Sequence, residues 1–263
     1  MNTKVIILSA GKGERLRPLT NSKPKCLVKL FGKTILQHQI DVFTKLSIND
    51  ITVVTGYLNN MINQNGITCF HNPNYEVTNM VETLFCANGK LENDVIISYG
   101  DIIFEKKIVE KLLDSNDDFS IIIDKKWRRY WEMRFSDPLE DAETLKIDSN
   151  GYISEIGQKT KNIDEIQGQY IGLMRFRNNG LRLLKKYYHE AQNSSKNGSN
   201  PLNSKLKFEQ SYMTDLLNYL ISKGCNLKPI SIENGWLELD SIDDLQIYNE
   251  LYETNSLSKF FKV

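Results

Sequence analysis

Early in the chain the sequence runs Leu8-Ser9-Ala10-Gly11-Lys12-Gly13-Glu14-Arg15-Leu16-Arg17-Pro18, with Lys23 and Lys25 close behind. A glycine-rich turn after a short apolar run lets backbone N–H groups approach an anion closely. Arg15, Arg17, Lys23 and Lys25 add cationic heads around that turn, which suits several phosphates better than one. Two phosphate-binding loops are excluded. A Walker A loop must end in Gly-Lys-Ser/Thr, which is absent. A dinucleotide fingerprint needs a third glycine where Leu16 stands and an acid about 20 residues on, and residues 31–36 supply none.

Two acids join this set. Asp101 follows the apolar run 95–98, and Asp240 follows 236–239. In open α/β sheets, ligands gather beyond the carboxyl ends of the strands. Two carboxylates with phosphate oxygens and waters can complete an octahedral Mg²⁺ site. Each aspartate alone would also serve as a turn or cap residue, and Asp240 stands just before a helical stretch. His38, His71 and His189 read as structural or surface residues. The four cysteines contain no CxxC-type pair, and Cys69 and Cys86 fall in apolar runs and read as small buried residues.

The surrounding elements must carry these groups to one edge. Residues 5–8, 51–55, 95–98 and 119–124 are apolar, β-rich runs of strand length, and 68–70 is a weaker one. Helical periodicity occupies 34–46, 80–87 and 105–113, with Asn79 as a cap for the second. This alternation predicts an α/β fold, a Rossmann-like mixed, mostly parallel sheet flanked by helices. In the second half, 144–148 and 152–156 flank Ser149-Asn150-Gly151, a hairpin signal. A long strand at 169–176, helices at 178–192 and 212–221, strands at 227–232 and 236–239, and a helix from 240 to 251 follow. This half reads as a β-rich region whose hairpin and long strand can cover the open end of the sheet.

The 263 residues read as a single domain, 1–263, in which 193–208 is a polar, mobile surface loop. Thirty-three basic residues balance 33 acidic ones, so no overall field draws nucleic acid or an anionic membrane. No apolar run approaches a membrane span of about 20 residues, and the run at 5–8 is too short for a signal peptide. A soluble, reducing, cytoplasmic setting is expected. A homo-oligomer is compatible with the sequence but not legible in it.

The whole pattern from Leu8 to Leu27, with Asp101 and Asp240, closely resembles the nucleotidyltransferases that join a nucleoside triphosphate to a phosphorylated small molecule. The resemblance narrows at Thr78-Asn79-Met80-Val81, 137–146, 155–159 and 167–173. There the chain looks like bacterial cytidylyltransferases that act on small phosphonates, and like the related phosphoglutamine and phosphocholine enzymes. It implies CTP and a small phosphonate or phosphate ester as partners, Mg²⁺ as cofactor, and release of pyrophosphate. It implies Lys25 and Arg15 as catalytic residues. Leu8, Ala10, Gly11, Lys12, Gly13, Arg15, Lys25, Asn79 and Asp101 would form the nucleotide site, and Asp101 and Asp240 the metal site. Glu143, Lys146, Glu155, Lys159 and Gln169 are the candidates for the acceptor, with acids for a substrate ammonium and Lys146 for the phosphonate. Trp127, Trp131 and Trp236 could line that pocket or simply pack.

Three alternatives stand beside this. A sugar-1-phosphate nucleotidyltransferase shares the chemistry, but the second half matches the small-acceptor enzymes better. A nucleotide-sugar glycosyltransferase usually carries Asp-x-Asp, where this chain has Asp101-Ile102-Ile103. A regulator without turnover would have no need of Arg15, Lys25, Asp101 and Asp240 together.

Overall fold

Alternation along buried strands decides which helix packs on which side. In β1 (Lys4–Ser9), Val5 and Ile7 face one apolar layer, and Ile6 and Leu8 face the other. A computed structural model of the chain describes residues 3–263. After β1 come a short hairpin, β2 (Lys29–Leu30) and β3 (Lys33–Thr34), then α1 (Ile35–Lys45), β4 (Asp50–Thr55), β5 (Ile67–His71) and α2 (Met80–Phe85). The chain continues through β6 (Asp94–Tyr99), β7 (Ile102–Phe104), α3 (Lys106–Asp114), β8 (Phe119–Asp124) and α4 (Trp127–Arg134). The second half holds β9 (Glu143–Ile147), β10 (Ile153–Lys159), β11 (Gln169–Arg177), α5 (Asn178–Ser195), α6 (Met213–Ser222), β12 (Lys228–Ile232), β13 (Trp236–Glu238) and α7 (Ile242–Glu253).

Seven strands form the central sheet in the order β12-β8-β11-β6-β1-β4-β5, and β11 alone runs antiparallel to its neighbours. This is the expected mixed, mostly parallel α/β sheet. Helices α1, α3, α4 and α7 bury Phe43, Leu112, Trp127 and Tyr248 on one face. Helices α2, α5 and α6 bury Leu84, Leu184 and Leu217 on the other. Covering both faces is what lets the inner strands be apolar throughout.

Three small ladders stand outside the sheet, β2 with β3, β9 with β10 and β7 with β13. Helix α4 and strand β7 occupy stretches to which the sequence assigned no element. Cys69 and Cys86 depart from expectation: the first is exposed and the second half-buried, while Cys26 and Cys225 are buried. Cys69 lies on β5, one of the two edge strands of the sheet. The segment 193–208 is not wholly a surface loop. Helix α5 runs to Ser195, and Leu202 and Phe208 join the core. Asn200 Nδ2, also buried, donates to Ser211 Oγ at 2.9 Å.

Candidate active site

Strand β1 delivers the glycine-rich loop to the carboxyl edge of the sheet. Gly13 has φ 63°, and a Cβ built there would lie 2.9 Å from Lys25 Cβ. A side chain at that position is therefore strained and would push Lys25 aside. Residues Glu14–Leu16 form one tight turn with Leu16 fully buried. Thr20 Oγ1 donates to Gly13 O at 2.8 Å, and Tyr57 N–H donates to Ala10 O at 3.0 Å, so the loop is tied from two sides.

Asp101 is held against β1 by the next turn. Gly100 N–H donates to Leu8 O at 2.9 Å, and a Cβ on Gly100 would come within 2.0 Å of Ser9 Oγ. Asp240 arrives from far along the chain through the β7–β13 ladder. That ladder pairs Glu238 with Ile102, and Leu239 N–H donates to Asp101 O at 2.9 Å. Lys25 Nζ lies between the two carboxylates, 2.8 Å from Asp101 Oδ2 and 2.7 Å from Asp240 Oδ1. Arg15 pairs with the other oxygen of Asp240. Burial alone would lower the Lys25 pKa, but Asp101 and Asp240 outweigh it and hold the ammonium above the usual lysine range. Lys25 is a fixed cation at neutral pH.

The cap interpretation of Asp240 does not hold. Ser241 is the N-cap of α7, its Oγ accepting from Asp244 N–H at 3.1 Å. The Asp240 carboxylate is turned instead to Lys25 and Arg15. Asp101 Oδ1 is buried without a hydrogen-bond partner among the described residues. An orphaned carboxylate oxygen beside a second carboxylate suits a hard cation. Among the described residues no cluster of three or more His, Cys, Asp and Glu forms a cage by itself. The donors therefore fit Mg²⁺ that keeps waters and phosphate oxygens as its remaining ligands.

Two clefts meet at this point. The first, of about 400 Å³, is lined by Leu8, Ala10, Gly11, Gly13, Arg15, Lys25, Asn79 and Asp101, as the sequence suggested, and also by Ser9, Tyr75 and Thr78. Asn79 caps α2, its Oδ1 accepting from Met80 N–H at 2.9 Å. Lys12 is the exception. It does not line the cleft and pairs with Glu76 at 2.7 Å, because it sits where the loop turns outward between two glycines.

The second cleft, of about 640 Å³, is lined by Glu143, Lys159 and Gln169, together with Trp131, Asp141, Asn203, Lys205, Asp215 and Trp236. Lys146 and Glu155 are absent from it. They pair with each other at 3.1 Å, and Lys146 also reaches Glu165 at 3.3 Å. The reason is strand alternation. Glu143 and Lys146 are three apart on β9, so they point to opposite faces. On β10, a register shift between Ile156 and Lys159 turns Lys159 to the Glu143 side while Glu155 stays with Lys146. Burial pushes the Glu143 carboxyl up to about 7, with Lys159 opposing. Gln169 Nε2 donates to Glu143 O at 2.6 Å, so its amide steadies β9. Trp131 Nε1 donates to Asp141 Oδ2 at 3.0 Å, and Trp127 packs in the core. Asn203 Nδ2 donates to Asp215 Oδ1 at 3.0 Å. The sequence missed both because they lie in and beyond the polar insert. Arg15, Met80, Tyr99 and Asp240 line both clefts and mark their junction.

Residues 5–151 match the MobA-like NTP transferase domain. The chain belongs to this family. It is 41% identical over 256 residues to a CTP:phosphoglutamine cytidylyltransferase of Campylobacter jejuni, covering 93% of this chain and 98% of that one. A choline-phosphate cytidylyltransferase of Streptococcus pneumoniae is 33% identical over 106 residues, 39% of this chain and 46% of that one. Among solved structures, a CTP:phosphocholine cytidylyltransferase from Streptococcus pneumoniae superposes with a TM-score of 0.72 at 21% identity, over 97% of this chain and 100% of that one. The MobA-like domain is a nucleotidyltransferase, and none of this chain's three histidines lines either cleft. Among the described residues, no helix is long and apolar enough to cross a membrane.

Proposed function

We propose that this transferase moves the cytidylyl group of CTP onto a small phosphorylated or phosphonylated acceptor that carries an ammonium group, with release of pyrophosphate. The observation that carries the proposal is Lys25, fixed in the first cleft between Asp101 and Asp240, the latter lining both clefts. One cleft, lined by backbone amides and Arg15, suits a triphosphate. The other, charged and lined by tryptophan, suits the acceptor.

The acceptor's phosphoryl or phosphonyl oxygen is an anion at neutral pH and attacks the α-phosphorus directly. No general base is needed, in keeping with clefts that contain no histidine. The barrier lies in bringing two anions together and in stabilising charge as pyrophosphate leaves, which positioning and electrostatics supply. Arg15 and the amides of 10–13 hold the β- and γ-phosphates. Lys25 neutralises charge that builds near the α-phosphate. Asp101 and Asp240 would hold Mg²⁺, which when bound supplies further charge stabilisation to the phosphates.

In the acceptor cleft, Glu143, Asp141 and Asp215 face the ammonium, and Lys159 balances the acceptor's anion. A hexose phosphate would need several neutral hydroxyl partners, which this charged wall does not favour. The sequence signature favours 2-aminoethylphosphonate, whereas the similarity to the Campylobacter protein over 256 residues favours phosphoglutamine. A cytoplasmic setting is part of the same proposal. The test is pyrophosphate release across four nucleoside triphosphates and a panel of 2-aminoethylphosphonate, phosphoglutamine, phosphocholine, ethylphosphonate and glucose-1-phosphate. CTP with an amine-bearing acceptor should lead. A site that pairs the amine leaves a carboxylate unpaired without it, so ethylphosphonate should be slower than 2-aminoethylphosphonate by about 10-fold or more in kcat/KM. Preference for glucose-1-phosphate would overturn the proposal.

A further inference from the structure

The backbone that carries Asp240 follows a strand of three residues with β7 on only one edge. Side chains hold it elsewhere. Glu238 N–H donates to Tyr130 Oη at 2.8 Å, and Tyr248 Oη donates to Glu238 O at 2.7 Å. Arg134 Nη1 donates to Glu238 Oε2 at 2.8 Å. The same guanidinium grips both oxygens of Asp244, Nε at 2.7 Å and Nη2 at 3.1 Å. Asp244 Oδ2 in turn accepts from Asp240 N–H and Ser241 N–H, each at 2.9 Å.

We infer that Arg134 is a positioning residue for nucleotidyl transfer, fixing the backbone at Asp240 and with it the spacing of the Asp240 carboxylate from Lys25 and Asp101. Its side chain is 1% exposed and lines neither cleft, so it acts through Glu238 and Asp244. Burying such a network adds little net stability over apolar packing, so geometry explains it better. Three directed bonds to two carboxylates need the planar fork of arginine, and a lysine ammonium cannot reproduce them. The same helix, α4, presents Trp131 to Asp141 in the acceptor cleft. One rigid element thus sets both the acceptor wall and the carboxylate at the junction.

The role of Asp240 assumed here rests on the proposed function, so the test carries a readout that needs no turnover. Arg134→Lys and Asp244→Asn are made in the full chain, and each is compared with the parent below its own unfolding temperature. Partners one step removed from a metal ligand typically change activity or affinity by about 10- to 100-fold, and kcat should fall within that range. KM for CTP should rise by no more than a factor of about 10, because metal-bound CTP loses only its metal contact while the loop backbone that holds the triphosphate is untouched. Mn²⁺ affinity of the protein–CTP complex without acceptor, read by water-proton relaxation, should fall by about 10-fold. If Arg134→Lys does not fold, Glu238→Gln takes the charge from one of the three bonds while keeping the β13 ladder, and should show the same signature at smaller size. Variants that melt earlier yet keep the parent's kcat and Mn²⁺ affinity would reduce Arg134 to a structural residue. If the parent binds Mn²⁺ with CTP but transfers cytidylyl to no acceptor, the proposed function fails while the Mn²⁺ series still decides Arg134.

Discussion

Replacing Lys25 by methionine keeps an unbranched stem against Gly13 and removes the charge. The lysine contacts Asp101 at 2.8 Å and Asp240 at 2.7 Å, and the three side chains are 14%, 23% and 15% exposed. Two consequences separate. Without the ammonium, two carboxylates face one another with only Arg15 nearby. Breaking a fully buried pair costs about 3–5 kcal/mol and an exposed one about 0–1 kcal/mol, so this partly solvated triad should lose about 2 kcal/mol. For a chain of this size that lowers Tm by about 4–8 °C when measured in chelator. Added Mg²⁺ offers the carboxylates a replacement cation and should restore part of that loss. Turnover should not recover, because the missing charge belongs at the α-phosphate. Loss of one such preorganised contact lowers kcat about 10²- to 10³-fold. The assay is steady-state pyrophosphate release at saturating CTP, acceptor and Mg²⁺, beside thermal unfolding with and without Mg²⁺. A variant that keeps more than half of the parent's kcat, or whose activity returns with Mg²⁺ alone, would refute the role given to Lys25.

Asp101→Asn and Asp240→Asn should each raise the Mg²⁺ concentration needed for half-maximal rate, with Ser241 still capping α7; an unchanged Mg²⁺ titration for either would remove it from the metal site. Burial raises Glu143 to about 7, so its carboxylate is present above that pH, and KM for an amine-bearing acceptor should fall as pH rises through about 7. Glu143→Gln should flatten that profile, while an amine-free acceptor should not show it in either protein. The same raised pKa means the folded state binds the proton more tightly than the unfolded chain, so its contribution to stability is complete below the ordinary carboxylate range and is lost as pH rises through about 7, as parent-minus-variant Tm should show. Lys146→Met should leave acceptor KM within about 2-fold, because its ammonium is turned to Glu155 and Glu165. Gly13→Ala, at φ 63° and against Lys25 Cβ, should lower kcat with little change in Tm beyond the strain of about 1–2 kcal/mol.

Much of the site was legible because its chemistry is local. The loop 8–15 and Lys25 sit within one turn-rich stretch, and their types name a polyphosphate. Asp101 and Asp240 were expected together from the acids that end two apolar runs and from the family resemblance, but the ladder that joins them was not legible, since β7 is a three-residue strand too short for any period to register. The acceptor wall was half legible. The hairpin strands 144–148 and 152–156 were expected, and only the register shift between them decides that Glu143 and Lys159 face the cleft while Lys146 and Glu155 do not. Helix α4 was hidden by its charge, although Trp127, Tyr130 and Trp131 follow the spacing of a buried helical stripe. Asp215 had no signal beyond helix capping, because what exposes it to the cleft is the packing of the insert before it.

The ladder between β7 and β13 also sets when the protein can act. During synthesis the glycine-rich loop, Lys25 and Asp101 emerge well before Asp240. Joining them means closing a long loop, a step that costs more entropy than local contacts do. Docking of β13 is what brings Asp240 to Lys25, so a molecule in which that ladder has not formed lacks the second carboxylate of the proposed metal site.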